Sequence, residues 1–595
     1  MKKLLTTIVS LKFFGSLVFT QLAEFTHNLN RRISKMKKLI TTIISLMFFG
    51  NLVFAQLTEF SMGDILSAGA MNQNFKYLEN RFGGIRETTV NCGTSGSGSG
   101  INSAIQNGYY SIVINGICKE NIKLDGREGN TPRLLKLRGA NNDYTKDKII
   151  DNSSYTDHVV NVLFNGIVVT IDNLTLSGGI RTVRSWGPNI FRMENVKVDD
   201  YKQRGIHMTE GSVIDGHNII IDGTNSSADS NERGIWLGLQ SYGWFENLQI
   251  LNNTWCGLCV WENSQTHLVE TNSFSGNGIG IYVSLSSLRN SSNITINNSA
   301  DYGIKAYHGK IWNYGTMTIS DNSDGDYAVM IDSSEAYLKN MTITGGTGTN
   351  NLVEVWQGQL TLDGATIKDH QGLLFYAGGG STLHFEGTNS FSNKDSSSSR
   401  CVVAFDDTDF KFDGSTTING TNSTGCTAFG FKRSRGQIKN ITVTGPEEAL
   451  YAQTSDVEIR GGTFSSTGKK AVTVLEGSRF KIYSNDNDIS ITSSADDALD
   501  VKSSYLHLKK GSSKNLTISS TASGESAINI RERSTVDIAG NTNTYANVEV
   551  KLGSYLHIDE DVTITTLSCT NSSKIHKEGT VTNTSACDSK NYISD

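Results

Sequence analysis

The chain has 595 residues, 59 of them glycine and only 3 proline, and a formal net charge of −6. Proline this far below the usual ~5% excludes a string of domains on Pro-rich linkers and suits stacked strands that need every backbone donor. Without a long Lys/Arg run or basic stripe it is not read as a nucleic-acid binder, though a neutral or weakly charged polymer stays open as partner.

The N-terminus is written twice. MKKLLTTIVSLKFFGSLVFTQLAEF starts at Met1 and MKKLITTIISLMFFGNLVFAQLTEF at Met36. Each has a Lys-Lys start and a short apolar run, and the second ends in Val53-Phe54-Ala55 before Gln56. That is the pattern of a secretory signal peptide, too short to span a membrane stably. In the first copy Lys12 stands where the second has Met47, and Thr20 where it has Ala55. Residues 1–35 therefore read as a duplicated, non-functional signal-like segment and 36–55 as the working signal peptide. The expected location is extracellular or on the cell surface, with no membrane-spanning segment left in the mature chain.

Residues 56–86 read as a helical segment. Ser61 can cap it, and Met71, Phe75, Leu78 and Phe82 form a one-sided apolar stripe. It serves as a lid over the first coil or joins copies into a homo-oligomer through 61–82. Its GD-x-L-x-A-x-x-M-N-x-N-F pattern resembles a segment preceding the repeats of bacterial surface and phage-tail-like proteins. Residues 87–132 form an entry cap: a strand over 87–92, a flexible GTSGSGSG loop, a short INSAIQNG helix, then two strands around a turn.

From 133 to 568 the sequence repeats. Copies open at Asn293, Thr316 and Asn340, offsets of 23 and 24 residues. Each carries three short alternating runs, such as Ile294-Thr295-Ile296, Gly303-Ile304-Lys305-Ala306 and Ile311-Trp312-Asn313. Alternation means one face inside and one in water, and strands this short must stack to share a core. The pattern predicts an all-β, three-sheet solenoid of roughly 16–18 coils at about 4.8 Å each, with residues 569–595 as a C-terminal cap. It resembles the right-handed parallel β-helix of the pectin-lyase-like superfamily. That resemblance implies long open sheets on which polysaccharides are bound or cleaved.

The eight cysteines fall as near neighbours, giving expected bridges Cys92–Cys118, Cys401–Cys426 and Cys569–Cys587. Cys256-Gly-Leu-Cys259 lacks the helix start of a redox motif and the second pair of a zinc site, and reads as buried or bridged. A bridge there needs a bend, because a regular strand sends i and i+3 to opposite faces.

All seven tryptophans lie between Trp186 and Trp356. Arg204-Gly-Ile206-His207, Arg233-Gly-Ile235-Trp236 and Cys256-Gly-Leu258-Cys259 align as equivalent strands. With Ile206, Ile235 and Leu258 inward, His207, Trp236 and Cys259 form an outward row, with Trp261 and Tyr282 further along. His207, Trp236, Trp261 and Tyr282 are thus candidate sugar-stacking residues, or else a ladder that stacks only on itself. Asp199, Asp200, Arg204 and Arg233 are the catalytic candidates under an alternative reading as a polysaccharide lyase or glycoside hydrolase. Ca2+ belongs only to the lyase reading; otherwise no metal or cofactor is expected. The superfamily's catalytic motifs do not carry over: Asp215-Gly-His217 is a loose echo, and Asp496-Asp497-Ala-Leu-Asp500 reads as a solvated turn. Outward Thr342-Ile-Thr344, Thr442-Val-Thr444 and Thr517-Ile-Ser519 pairs resemble ice-binding solenoids, with interruptions expected at Lys368 and Phe391. The leading expectation is a secreted module that binds an extracellular or cell-surface glycan.

Overall fold

The computed structural model describes residues 86–594 apart from 129–130, 165, 225–231, 321–326, 347–348, 394–399, 422–424, 541–542, 560–561, 571 and 588–591. The expected signal segments and the helix expected over 61–82 lie outside the described residues.

The described residues wind into a right-handed parallel β-helix of about 18 turns with almost no helix. Ile294 pairs with Met317, and Met317 with Met341, so the sequence repeat is one coil. Each coil contributes one strand to each of three series of parallel pairings, as in Tyr302–Tyr307, Lys310–Asn313 and Met317–Ser320. Alternation places one residue type in columns: Ile206, Ile235, Leu258, Ile281 and Ile304 are stacked partners and all buried. Burying each such side chain contributes about 1.5–3 kcal/mol, which no isolated coil could collect. Further along, the core turns aromatic, with Phe385 and Phe412 stacked at 4.2 Å and 3°.

The corner between the first and second sheets has its own chemistry. Residues such as Asn263, Ser333, Thr454 and Ser503 turn the chain with φ of 49–62°. A buried serine commonly follows. The Ser434 N–H donates to Ser455 Oγ and the Ser455 N–H to Ser478 Oγ, both at 3.1 Å. The corner thus satisfies backbone donors that leave the ladder, coil after coil.

At the entry, the short helix Ile101–Gln106 forms where expected, and the Glu120 carboxylate accepts from the N–H groups of Gly100, Ile101 and Asn102 at 2.8–2.9 Å. The GTSGSGSG stretch is not a loop as its composition implied. Strand Glu87–Gly98 runs through it, with Gly93 opposite Gly116 and Gly98 opposite Cys118 across register shifts. Glycine permits this close approach, since a Cβ on Gly98 would lie 2.5 Å from Cys92 Cα. Pairing also begins before residue 133 and continues after 568, through Thr580–Cys587 and Tyr592–Ser594. The outermost segments are therefore strands of the solenoid.

Cys92 and Cys118 are bridged, as are Cys256 and Cys259. Cys426 and Cys569 are disulfide-bonded, and Cys569 faces Cys587 in the strand register. The side chains of Cys401 and Cys587 lie outside the described residues.

Candidate functional site

In the first sheet, a column of glycines bends successive strands. A Cβ on Gly205, Gly234, Gly257 or Gly280 would stand 2.6–2.8 Å from the carbonyl oxygen of the next glycine in the column. The register skips at each glycine, pairing Arg204 with Arg233 and then Ile206 with Ile235. The bend brings residues i and i+3 to the same outer face. It lets Cys256 and Cys259 bridge within one strand, and it lets Arg204 reach His207.

Two outward columns result. One runs His158, Arg181, Arg204, Arg233, Cys256. The other runs Arg184, His207, Trp236, Cys259, Tyr282. Trp236 stacks on Trp261 at 4.8 Å and 27°, and Tyr282 meets Trp261 edge-on at 5.4 Å. Trp255 joins them, and Trp236, Trp255 and Tyr282 pack over the Cys256–Cys259 bridge. The Arg233 guanidinium lies 4.2 Å from the Trp255 ring centre and 4.5 Å from that of Trp236, with Arg204 4.6 Å from Trp236. Arg184 covers the exposed Trp186 at 4.9 Å. The tryptophans therefore form a mutually stacked, half-buried platform edged by arginines.

His207 departs from its expected role as a surface contact. It is only 8% exposed, because Arg204 and Trp236 lie over it, and Arg204 Nη1 donates to its Nε2 at 2.8 Å. Burial, reinforced by Arg204, Arg181 and Arg184, holds it far below the ordinary histidine range, so the ring is a neutral acceptor. His158 is likewise pushed down to about 4 by burial and then by Arg184 and Arg181.

The four arginines carry an electrostatic debt. Burial lowers Arg204 to about 9 and Arg233 to about 10, and the charged groups that add to the lowering are other arginines of the set. The Nε atoms of Arg181, Arg184, Arg204 and Arg233 are buried without a hydrogen-bond partner among the described residues. Glu232, adjacent to Arg233 in sequence, does not neutralise them. Burial, with Asp222 nearby, raises it to about 8 against the lowering effect of the Thr254 backbone N–H.

The catalytic candidates join separate networks. Asp199 pairs with Lys197 at 3.0 Å, and Asp200 accepts from the Tyr155 hydroxyl at 2.7 Å. Arg204 and Arg233 instead face the tryptophans. A second constellation lies on the second sheet, where His217 Nε2 meets Asp215 Oδ1 at 2.9 Å and Nδ1 meets Glu246 Oε2 at 2.8 Å. Hydrogen bonding to Asp215 raises its pKa. With both nitrogens engaged by carboxylates, His217 offers no position to a substrate proton and acts as a cationic bridge between strands. The 496–500 stretch leads from a turn into the strand Leu499–Lys502 as expected, but Asp497 and Asp500 are buried, not solvated. Asp500 is buried between Lys470 and Arg531, at 2.7 and 2.6 Å, and Asp497 accepts from Asn529 at 2.7 Å.

Sequence reasoning missed Arg181, Arg184, His158 and Trp255. Arg181-Thr-Val lacks the glycine that marked the next coils, so only the recurrence of arginine at one strand position would have found it. On the third sheet, Ser and Thr form an unbroken column from Ser273 through Thr342 and Thr442 to Thr517. Phe391 does not interrupt it, being buried between outward Ser390 and Ser392. Lys368 does break the neighbouring column.

Residues 178–343, which hold the arginine–tryptophan platform, match the family model described as a right handed beta helix region. The chain is a parallel β-helix repeat protein. No curated protein matches it. Among solved structures, it aligns with the crystal structure of the bacteriophage Phi29 gene product 12 N-terminal fragment at 13% identity and a TM-score of 0.28. The alignment covers 87% of this chain and 95% of that one. No helix among the described residues is long and apolar enough to cross a membrane.

Proposed function

We propose that this protein is displayed outside the cell and binds a glycan bearing acidic groups, laid along the solenoid axis over the first sheet. The observation that carries the reading is the column Arg181–Arg204–Arg233, which has no carboxylate hydrogen-bonded to it among the described residues, beside the Trp236–Trp255–Trp261 platform. Stacked guanidiniums at one-coil spacing repel one another, and carboxylate or sulfate groups at a similar pitch relieve that repulsion. Sugar rings supply apolar faces for the half-buried indoles. Arginine's planar fork suits such anions better than lysine's point charge.

Affinity electrophoresis of the full chain in gels containing dextran sulfate, polygalacturonate or plain dextran tests this. The acidic polymers should retard the protein, and Trp236→Ala and Arg204→Ala should each weaken retention about tenfold, the effect of losing about 1.4 kcal/mol. No retardation by either acidic polymer overturns the reading. Release of oligosaccharides, lost in Asp200→Ala, would replace it with a lyase or hydrolase.

A further inference from the structure

Far from this platform, the second sheet gathers histidines near the C-terminal end. His507, Asp537, His557 and His576 occupy one register column in successive coils. The rings of His557 and His576 are nearly parallel, 4.9 Å apart at 14°. Glu578 follows His576 by two residues, the spacing that returns a side chain to the same face of a strand. One ligand atom from each of His557, His576 and Glu578 lies within 4.8 Å of the others, and His557 Nε2 is 3.8 Å from Glu578 Oε1.

We propose that His557, His576 and Glu578 form a binding site for a divalent transition metal of the zinc type, clamping two consecutive coils at the C-terminal end. Zinc with nitrogen ligands at 2.0–2.1 Å and carboxylate oxygen at 2.0–2.2 Å sets tetrahedral ligands about 3.3 Å apart. The observed spacings of up to 4.8 Å exceed that, so metal binding requires the His576 and Glu578 side chains to turn toward His557 Nε2. A second observation aims the site: Asp537 Oδ1 lies 2.9 Å from His557 Nδ1. It holds that proton and turns Nε2 toward Glu578, the carboxylate–histidine arrangement that orients metal ligands. Two imidazoles and one carboxylate favour zinc, copper or nickel over calcium or magnesium, which prefer all-oxygen shells. Three protein ligands leave a fourth position for water.

The location gives the metal a structural task. The strand Lys574–Lys577, which holds His576, pairs with Tyr555–Ile558 on one side and with the short strand Tyr592–Ser594 on the other. A cation bound across two coils, and not by the unfolded chain, holds those coils together. The ligand set was illegible in sequence because His557 and the His576-Lys577-Glu578 run meet only through coil stacking.

Isothermal titration of chelator-treated full chain with zinc chloride, repeated with calcium chloride, tests the site. Saturable zinc binding is expected, with none for calcium. His557→Ala and His576→Ala should abolish it, and Asp537→Asn should weaken it about 10–100-fold. Zinc should also slow proteolytic trimming of the last coils in the parent protein but not in His557→Ala. Circular dichroism checks that each variant is folded. Absence of zinc binding by the folded parent overturns the proposal, as does binding that survives both histidine substitutions.

Discussion

Replacing Gly234 by alanine tests whether the glycine column builds the outward arginine and tryptophan rows. The new Cβ would stand 2.6 Å from the Gly257 carbonyl oxygen and 2.5 Å from Ile250 Cγ2. The first is backbone, held in the parallel ladder, so relief requires the coils to part. Overpacking of this kind costs about 1–3 kcal/mol. Gly430 supplies the control, since it lies in the same sheet with nothing within 4 Å of its would-be Cβ. Alanine there should be neutral or stabilise by about 0.4–1 kcal/mol through the unfolded chain. The assay is guanidinium unfolding followed by tryptophan emission, which reports on the coils holding Trp236, Trp255 and Trp261. Gly234→Ala should unfold at lower denaturant than the parent and Gly430→Ala at the same or higher. Equal midpoints for the two variants would refute the steric argument.

Four other substitutions probe the scaffold. His217 is raised above its ordinary 6.5 by Asp215 and then Glu246, so its stabilisation is complete below about pH 6.5 and is lost as pH rises through the folded value. The gap in melting temperature between the parent and His217→Gln should therefore narrow with rising pH; a widening gap contradicts the bridge. Phe412→Ala removes the ring stacked on Phe385 and should cost about 3–5 kcal/mol in denaturant titration, whereas the exposed Tyr555→Ala should shift stability by less than about 0.5 kcal/mol. Ser534→Ala leaves the Ser504 N–H without its acceptor at 3.3 Å and should cost about 1–3 kcal/mol, with faster hydrogen exchange at the Ser504 amide.

The repeat was legible because each coil writes the same alternation, so the column Ile206–Ile235–Leu258 could be aligned by its preceding glycine. The same glycine hid a consequence. In a regular strand Arg233 and Trp236 point to opposite faces, and the bend between them, which recurs at Thr182 without a glycine, brings them together. That is also why the Cys256–Cys259 bridge was open in sequence and closes in the structure. His207 occupies the anticipated column but is covered by two long neighbours, and side-chain cover is invisible to strand alternation. Arg181 was passed over for want of the glycine, and the His217–Glu246 contact spans a coil. The GTSGSGSG stretch misled because its composition is that of a loop, while close backbone approach in a strand also requires glycine.

Hydroxyl-radical footprinting of the full chain, with and without dextran sulfate, asks the central question most directly because it reads side-chain access residue by residue. The acidic-glycan account predicts protection of Trp186, Trp236, Trp255, Trp261 and Tyr282, with Tyr555 and the third-sheet hydroxyl column unchanged and plain dextran without effect. Protection elsewhere on the solenoid, or equal protection by plain dextran, would contradict it.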